Sequence, residues 1–171
     1  AEAWHFIAKG PFLSGINMNS TFIAASCHDR YVYSLGRKEG GVAWNFGAGK
    51  VMIAPPVFIT DPFTNKTYAC CESEENILFA ISDADGTEVW RIPDGGKPVC
   101  LDDEPEKPDI HRTSIIAQRR DGAIQAIGFT SGKPLWEIPA GVFSMAAQTP
   151  ESPALWAVYS KGAVCQLKRK Q

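Results

Sequence analysis

Few stretches of this chain carry residue types at spacings that could do chemistry. Asp83-Ala84-Asp85-Gly86-Thr87-Glu88 alternates carboxylates like a calcium loop. Its glycine, however, is at position four, whereas an EF-hand loop needs it at six to make the turn that brings the oxygens together. Gly47-Ala48-Gly49-Lys50 has the flavour of a phosphate loop, yet Val51 stands where a hydroxyl must reach magnesium and Trp44 stands at the required upstream glycine. His5, His28 and His111 share no metal-ligand spacing, and no Gly-x-Ser-x-Gly elbow exposes a nucleophile. Both glycine-containing stretches therefore read as turns and connectors, and no catalytic, cofactor or metal residue is assigned.

The elements around them follow a repeat. Trp44, Trp90 and Trp136 are 46 residues apart, and each comes four residues after a glycine: Gly40, Gly86, Gly132. That period suits a blade of four short strands. Tyr31–Leu35 aligns with Ile77–Ile81, Ala123–Ile127 and Ala163–Leu167, short apolar runs that read as strands buried on both faces. A second run precedes each, at 21–27, 66–71, 113–118 and 154–159. Asp29-Arg30, Glu75-Asn76, Asp121-Gly122 and Lys161-Gly162 stand between the two runs as hairpin turns. A glycine turn then leads to the tryptophan strand, and 51–59, 98–101 and 142–147 would open the next blade.

The chain is accordingly expected to be all-β, a β-propeller of about four four-stranded antiparallel blades in one domain. The blades would span roughly 11–47, 50–93, 97–139 and 141–171 plus 1–9, the last closed by the N-terminal strand Ala3-Trp4-His5-Phe6. A segment of a larger propeller would show the same frame, and starting at Ala1 fits an excised piece. An incomplete ring would expose apolar blade faces and drive dimerisation.

With 171 residues, 44% hydrophobic and 21% charged, the chain can bury a sizeable core. A net charge of −2 offers no electrostatic case for nucleic acid, and neither a membrane helix nor a signal-peptide apolar region is apparent. Five cysteines, mostly within strand runs, favour buried thiols in a reducing compartment, hence a cytoplasmic location. Lys168-Arg169-Lys170 reads as a solvated tail.

Ile77-Leu78-Phe79-Ala80-Ile81-Ser82-Asp83-Ala84-Asp85-Gly86-Thr87-Glu88-Val89-Trp90 resembles the repeat of pyrroloquinoline-quinone-type propellers, in which an aromatic and Ala-Leu-Asp lead into Thr-Gly and then Trp. Tyr31–Trp44 and Ala123–Trp136 repeat it more loosely. The resemblance implies that Trp4, Trp44, Trp90 and Trp136 dock between adjacent blades. It also implies a choice of function, because the family holds quinone-dependent dehydrogenases as well as relatives without cofactor. The enzymes use a ring of about eight blades, calcium, and a vicinal disulfide against the quinone. Cys70-Cys71 falls in register with Ala24-Ala25 and Ile116-Ala117 inside a strand, so it reads as core filling, and neither the quinone nor calcium is expected. Residues 27–35, 51–58 and 138–144 are also similar to the C-terminal propeller of acyl-CoA-synthetase-like aminoadipate-semialdehyde dehydrogenase proteins, whose adenylating and carrier parts would be absent here.

The expected function is non-catalytic binding or scaffolding of a protein or peptide partner, or of the rest of a larger multidomain chain such as an adenylate-forming enzyme. The other reading is a fragment or half-ring of a quinone-dependent oxidoreductase. One loop face would collect Asp61, Asp83, Asp85, Glu151 and the acidic, proline-rich insertion 102–109. The opposite face would carry His28, Asp29, Arg30, Asp94, Lys161 and the partner-contact candidates Lys50, Lys97, Arg119 and Arg120, leaning basic.

Overall fold

The computed structural model describes residues 2–12, 14–61, 63–99 and 114–140, and the backbone of 143–149, 152–159 and 164–167. Among the described residues fifteen strands run in chain order: β1 (Ile16–Met18), β2 (Phe22–Ser26), β3 (Tyr31–Gly36), β4 (Val42–Gly47), β5 (Val57–Thr60), β6 (Thr67–Glu72), β7 (Leu78–Ser82), β8 (Glu88–Ile92), β9 (Lys97–Val99), β10 (Ser114–Gln118), β11 (Ile124–Gly128), β12 (Pro134–Ile138), β13 (Phe143–Thr149), β14 (Ser152–Tyr159) and β15 (Val164–Leu167). They form three antiparallel sheets of four, β1–β4, β5–β8 and β9–β12, and one of three, β13–β15. Among the described residues no helix is long and apolar enough to cross a membrane.

Each sheet pairs its strands in chain order, and in the first three sheets tight turns join the second strand to the third and the third to the fourth. Arg30, Asn76 and Gly122 take the same left-handed place in the turn between second and third strands, at φ 74°, 64° and 92°. Gly40, Gly86 and Gly132, at φ 67°, 74° and 62°, close the turn before the tryptophan strand. A register shift recurs beside each tryptophan, between Ser34 and Leu35, Ala80 and Ile81, and Ala126 and Ile127. One extra residue there increases the local twist of the outer strand.

The sheets pack face to face, first strands inward: β5 touches β1, and β9 touches β6 and β13. Strand alternation then supplies a core on each side of the second sheet. Tyr68, Cys70, Leu78, Ala80 and Trp90 join Ile115, Ala117, Ile127 and Phe129 of the third sheet. Ala69, Cys71, Phe79 and Ile81 join Val32, Trp44, Ala48 and Met52 on the other side.

Two expectations shift. The strand expected from residue 51 begins at Val57, and Met52 makes only an isolated bridge to Ser73. Pro55 and Pro56 intervene and supply no backbone donor for a ladder. Residues 2–8 form no strand, and among the described residues the β13–β15 sheet has three strands. A strand exists only with a ladder partner, and none stands beside this segment among the described residues. Segment 102–109, His111, Glu151, Lys161 and the basic tail lie outside the described residues.

Candidate functional site

Trp44 shows how neighbouring sheets are held in place. Its ring lies on Gly86, where an added Cβ would come within 3.0 Å of ring carbons and 2.8 Å of the Trp44 Cβ, and its indole N–H donates to the Asp83 carbonyl at 2.8 Å. Trp90 repeats the arrangement on Gly132, donating to the Phe129 carbonyl at 2.6 Å. Trp4 lies on Gly40 and donates to the Arg37 carbonyl at 3.2 Å. In all three the carbonyl belongs to the residue three before the glycine, and glycine is required twice over, by φ and by the ring against it. Trp44 and Trp90 are 5% and 9% exposed, whereas Trp136 is 40% exposed.

These latches bring the turns of three sheets around an open groove of about 670 Å³. Phe22, Tyr68 and Val89 wall it, and Lys66, Asp83, Asp85, Thr87 and Thr130 supply polar groups. Tyr68 stacks on Phe129, ring centroids 6.0 Å apart, which stiffens the floor. Asp83 is 8% exposed; its Oδ2 accepts from Asn19 Nδ2 at 2.9 Å, while its buried Oδ1 lacks a hydrogen-bond partner among the described residues. Burial pushes this carboxyl above its ordinary value, and the bonds from Asn19 and Trp44 offset that only in part. Asn19 is itself fixed, since its Oδ1 accepts from the Thr21 and Phe22 amides at 2.9 and 2.8 Å.

The other carboxylates of this face cap their own loops. Asp85 Oδ1 accepts from the Thr87 amide and hydroxyl, which hold the carboxyl below its ordinary value. Asp61 accepts from the Phe63 amide at 2.9 Å and the Thr64 hydroxyl at 2.6 Å. These are Asx turns, the bland use of an acidic turn residue. Among the described residues no three histidines, cysteines or carboxylates converge on one point.

On the opposite face three of the four expected basic contact residues, Lys97, Arg119 and Arg120, belong to the third sheet and Lys50 to the connection between the first and second, and all lie near carboxylates. Lys50 pairs with Glu75 at 2.6 Å; Arg119 pairs with Asp121 at 2.9 Å and Glu137 at 3.6 Å. Arg120 donates to the Glu74 carbonyl at 2.9 Å and lies 3.8 Å from Glu72, tying the third sheet to the second. Lys97 is exposed near the same carboxylate. Glu72 is buried, which raises its carboxyl against the pull of Arg120 and Lys97. The lean toward positive charge is thus balanced by acids from the neighbouring turns, a pairing that the linear order of residues conceals.

A third cluster, unforeseen in the sequence, clamps the N-terminal segment. Asp29 accepts from the Tyr33 hydroxyl at 2.7 Å, the Tyr31 amide at 3.1 Å and the Lys9 amide at 3.2 Å, while Cys27 donates to the Gly10 carbonyl at 3.2 Å. Burial acts to raise the Asp29 carboxyl, but these bonds outweigh it and hold it below its ordinary value. Phe6 and Phe12 pack on Tyr33 at 5.1 and 6.0 Å. Burial pushes the Cys27 thiol up, so the cluster is a clamp and not an activated nucleophile. Cys70 and Cys71 are fully buried and their thiols are likewise raised by burial.

No family model and no curated protein matches the chain in sequence. Solved structures do match. BamB from Moraxella catarrhalis superposes at a TM-score of 0.73 with 17% identity over 96% of this chain and 49% of its own. The computationally designed Ika4 protein gives 0.64 with 13% identity over 93% of each chain, and the designed Ika8 protein 0.62 with 10% identity over 87% of this chain and 43% of its own. The chain spans about half the length of the BamB structure it matches. Together with the radiating four-stranded sheets, this likeness shows a β-propeller fold.

Proposed function

We propose that the chain is a non-catalytic binding propeller that offers the groove around Asp83 to a protein or peptide partner. The supporting observation is the groove's placement across the sheet seams, with apolar walls on rigid strands and hydroxyls and carboxylates on turns. Such a lining suits an extended segment carrying an apolar residue beside a basic or amide side chain. The likeness to BamB supports the propeller fold on which this reading rests.

Lys50, Lys97, Arg119 and Arg120 form a second contact surface in this reading. An acidic partner would have to displace their present carboxylates, so the groove is preferred. Neither quinone nor calcium is assigned: Cys70 and Cys71 face opposite sides of β6, and Asp61 and Asp85 are committed to their own turns. Buried free thiols at Cys27, Cys70 and Cys71 support a reducing, cytoplasmic setting. The resemblance of residues 27–35, 51–58 and 138–144 supports a place beside an adenylating domain.

Peptides selected from a random display library would be titrated into labelled protein and followed by amide chemical shifts. Shifts confined to Phe22, Lys66, Thr87, Val89 and their neighbours, abolished by Val89→Arg, are expected. Shifts confined to the Lys50–Arg120 face would move the site there. Quinone absorbance retained by the protein, with a calcium-dependent gain in melting temperature, would revive the oxidoreductase reading; ligand at one hundred times its Kd stabilises by about 2.7 kcal/mol.

A further inference from the structure

The turn between β7 and β8 carries a buried carboxylate that the fold itself does not use. Asp83 occupies a position repeated in three sheets, at Arg37, Asp83 and Phe129, where the backbone carbonyl receives the indole N–H of a latch tryptophan. The latch draws on the main chain alone, so a base, an acid and a ring serve it equally. A carboxylate at 8% exposure is another matter, because a charge taken out of water needs an opposite charge or a full set of hydrogen bonds. Asp83 has neither among the described residues: Oδ2 accepts one bond, from Asn19, and Oδ1 accepts none. A neutral amide at position 83 would hold Asn19 as well.

The surroundings supply no counter-ion. Asp85, two residues on, adds a second carboxylate at the exposed side of the same turn, which the Gly86 amide bond to the Ser82 carbonyl closes at 2.9 Å. Lys66 is the basic residue of the groove lining, yet no ion pair joins it to either acid among the described residues. On the opposite face, by contrast, Lys50, Arg119 and Arg120 all meet carboxylates. Unpaired charge is a property of the groove, and its balance there is negative, two acids against one base.

Phe22, Tyr68 and Val89 wall the same groove and offer a bed for methylenes. An apolar stem that ends at two carboxylates describes a long basic side chain, which packs its methylenes on apolar surface and keeps its head with oxygen acceptors. Asn19 holds the Asp83 carboxyl through Oδ2, and the χ2 well of aspartate is broad, so a small rotation turns Oδ1 toward an incoming head group. We propose, building on the reading of this groove as a partner site, that the partner is recognised by one basic side chain, its stem against Phe22, Tyr68 and Val89 and its cationic head paired with Asp83 and Asp85. An amide in its place would leave the buried charge uncompensated. Binding is then linked to ionisation, since a cation beside Asp83 pulls back down a carboxyl that burial has raised. Asp85, Lys66 and Tyr68 face the same space, and Asp85 is held below its ordinary value by Thr87, so it stays charged at neutral pH.

Capped alanine pentapeptides with arginine, lysine, citrulline or norleucine at the centre test this, followed by amide chemical shifts of the whole chain. The arginine and lysine peptides are expected to shift Asp83, Asp85, Thr87 and Val89 with a Kd at least about tenfold below that of the neutral peptides, the margin of one charge-assisted bond. In Asp83→Asn that margin should vanish. In the unaltered protein the arginine peptide, and not the citrulline one, should lower the pH midpoint at which the Asp83 carboxyl carbon titrates. Equal affinity of all four peptides at the groove would overturn the inference while leaving the groove a partner site. A margin that survives in Asp83→Asn, or a midpoint that does not move, would remove Asp83 from the recognition. Absence of any groove shift from the charged peptides at millimolar concentration also overturns it; the groove reading falls with it only if library-selected peptides shift the Lys50–Arg120 face instead.

Discussion

Trp90→Ala measures what one latch contributes. A tryptophan buries about 150–250 Å². At about 25 cal/mol per Å² that is worth roughly 4–6 kcal/mol if fully realised, and partial collapse of the site brings measured losses to about 3–5 kcal/mol. Trp90 is 9% exposed and stands among Cys70, Leu78, Ile115 and Phe129, so nearly the whole amount applies. Losing the 2.6 Å bond to the Phe129 carbonyl strands a buried acceptor, worth about 1–3 kcal/mol. Trp90→Ala should therefore cost about 4 kcal/mol or more, and Trp90→Phe about 1–2 kcal/mol. Trp136, at 40% exposed, should lose about 2 kcal/mol or less when replaced by Ala. Urea unfolding by far-ultraviolet circular dichroism avoids reading the signal from the mutated indole. With a slope of about 2 kcal/mol per molar, the Trp90→Ala midpoint should fall by about 2 M. A loss under about 1 kcal/mol, or equal losses at positions 90 and 136, would refute the latch.

Gly86→Ala should destabilise by about 2–4 kcal/mol, since its Cβ would come within 2.8 Å of Trp44 at a φ of 74°; thermal unfolding reads it, and near-neutrality would show a turn that relaxes freely. Arg30→Gly should stabilise by about 1 kcal/mol, because Arg30 holds a left-handed φ of 74° where the third sheet uses Gly122; a melting temperature that falls would contradict this. Asp83 and Asp29 should give opposite pH profiles. Folding raises the Asp83 carboxyl, so its contribution is full below the unfolded value and lost as pH rises through the folded one; Asp83→Asn should gain stability at pH 7 and none near pH 3. Folding lowers the Asp29 carboxyl, so its contribution is full above the unfolded value and lost as pH falls through the folded one; Asp29→Asn should cost about 1 kcal/mol at pH 7, shrinking in acid, and parallel profiles for the two variants would defeat the assignment.

What the sequence makes legible here is whatever repeats. The Gly-to-Trp spacing, the turn at Asp121-Gly122 and the paired apolar runs all reappear as turns and strands in three sheets, because each copy solves the same steric problem. Departures from the period were harder to read. Pro55-Pro56 moves β5 downstream, and the N-terminal segment has the composition of a strand but pairs with none among the described residues. The contact residues show a different limit. Arg120 meets Glu72 and the Glu74 carbonyl because the blade period stacks residues 46 apart side by side, so the acid that neutralises a base lies one repeat away. Asp83 stood out for its neighbours Ala84 and Asp85, but its burial under Asn19 depends on a turn 64 residues upstream.

Cys70 and Cys71 are adjacent in the chain and point into different cores, one shared with the third sheet and one with the first. The dipeptide is therefore a built-in two-channel gauge of breathing. A small alkylating reagent can reach Cys70 only when the seam on its side parts, and Cys71 only when the other does, so mass spectrometry of one tryptic peptide reads two opening free energies under native conditions. Occupation of the groove, which rests on the turns of both seams, would slow the two channels together, whereas a change at Trp90 would speed the first and leave the second nearly untouched.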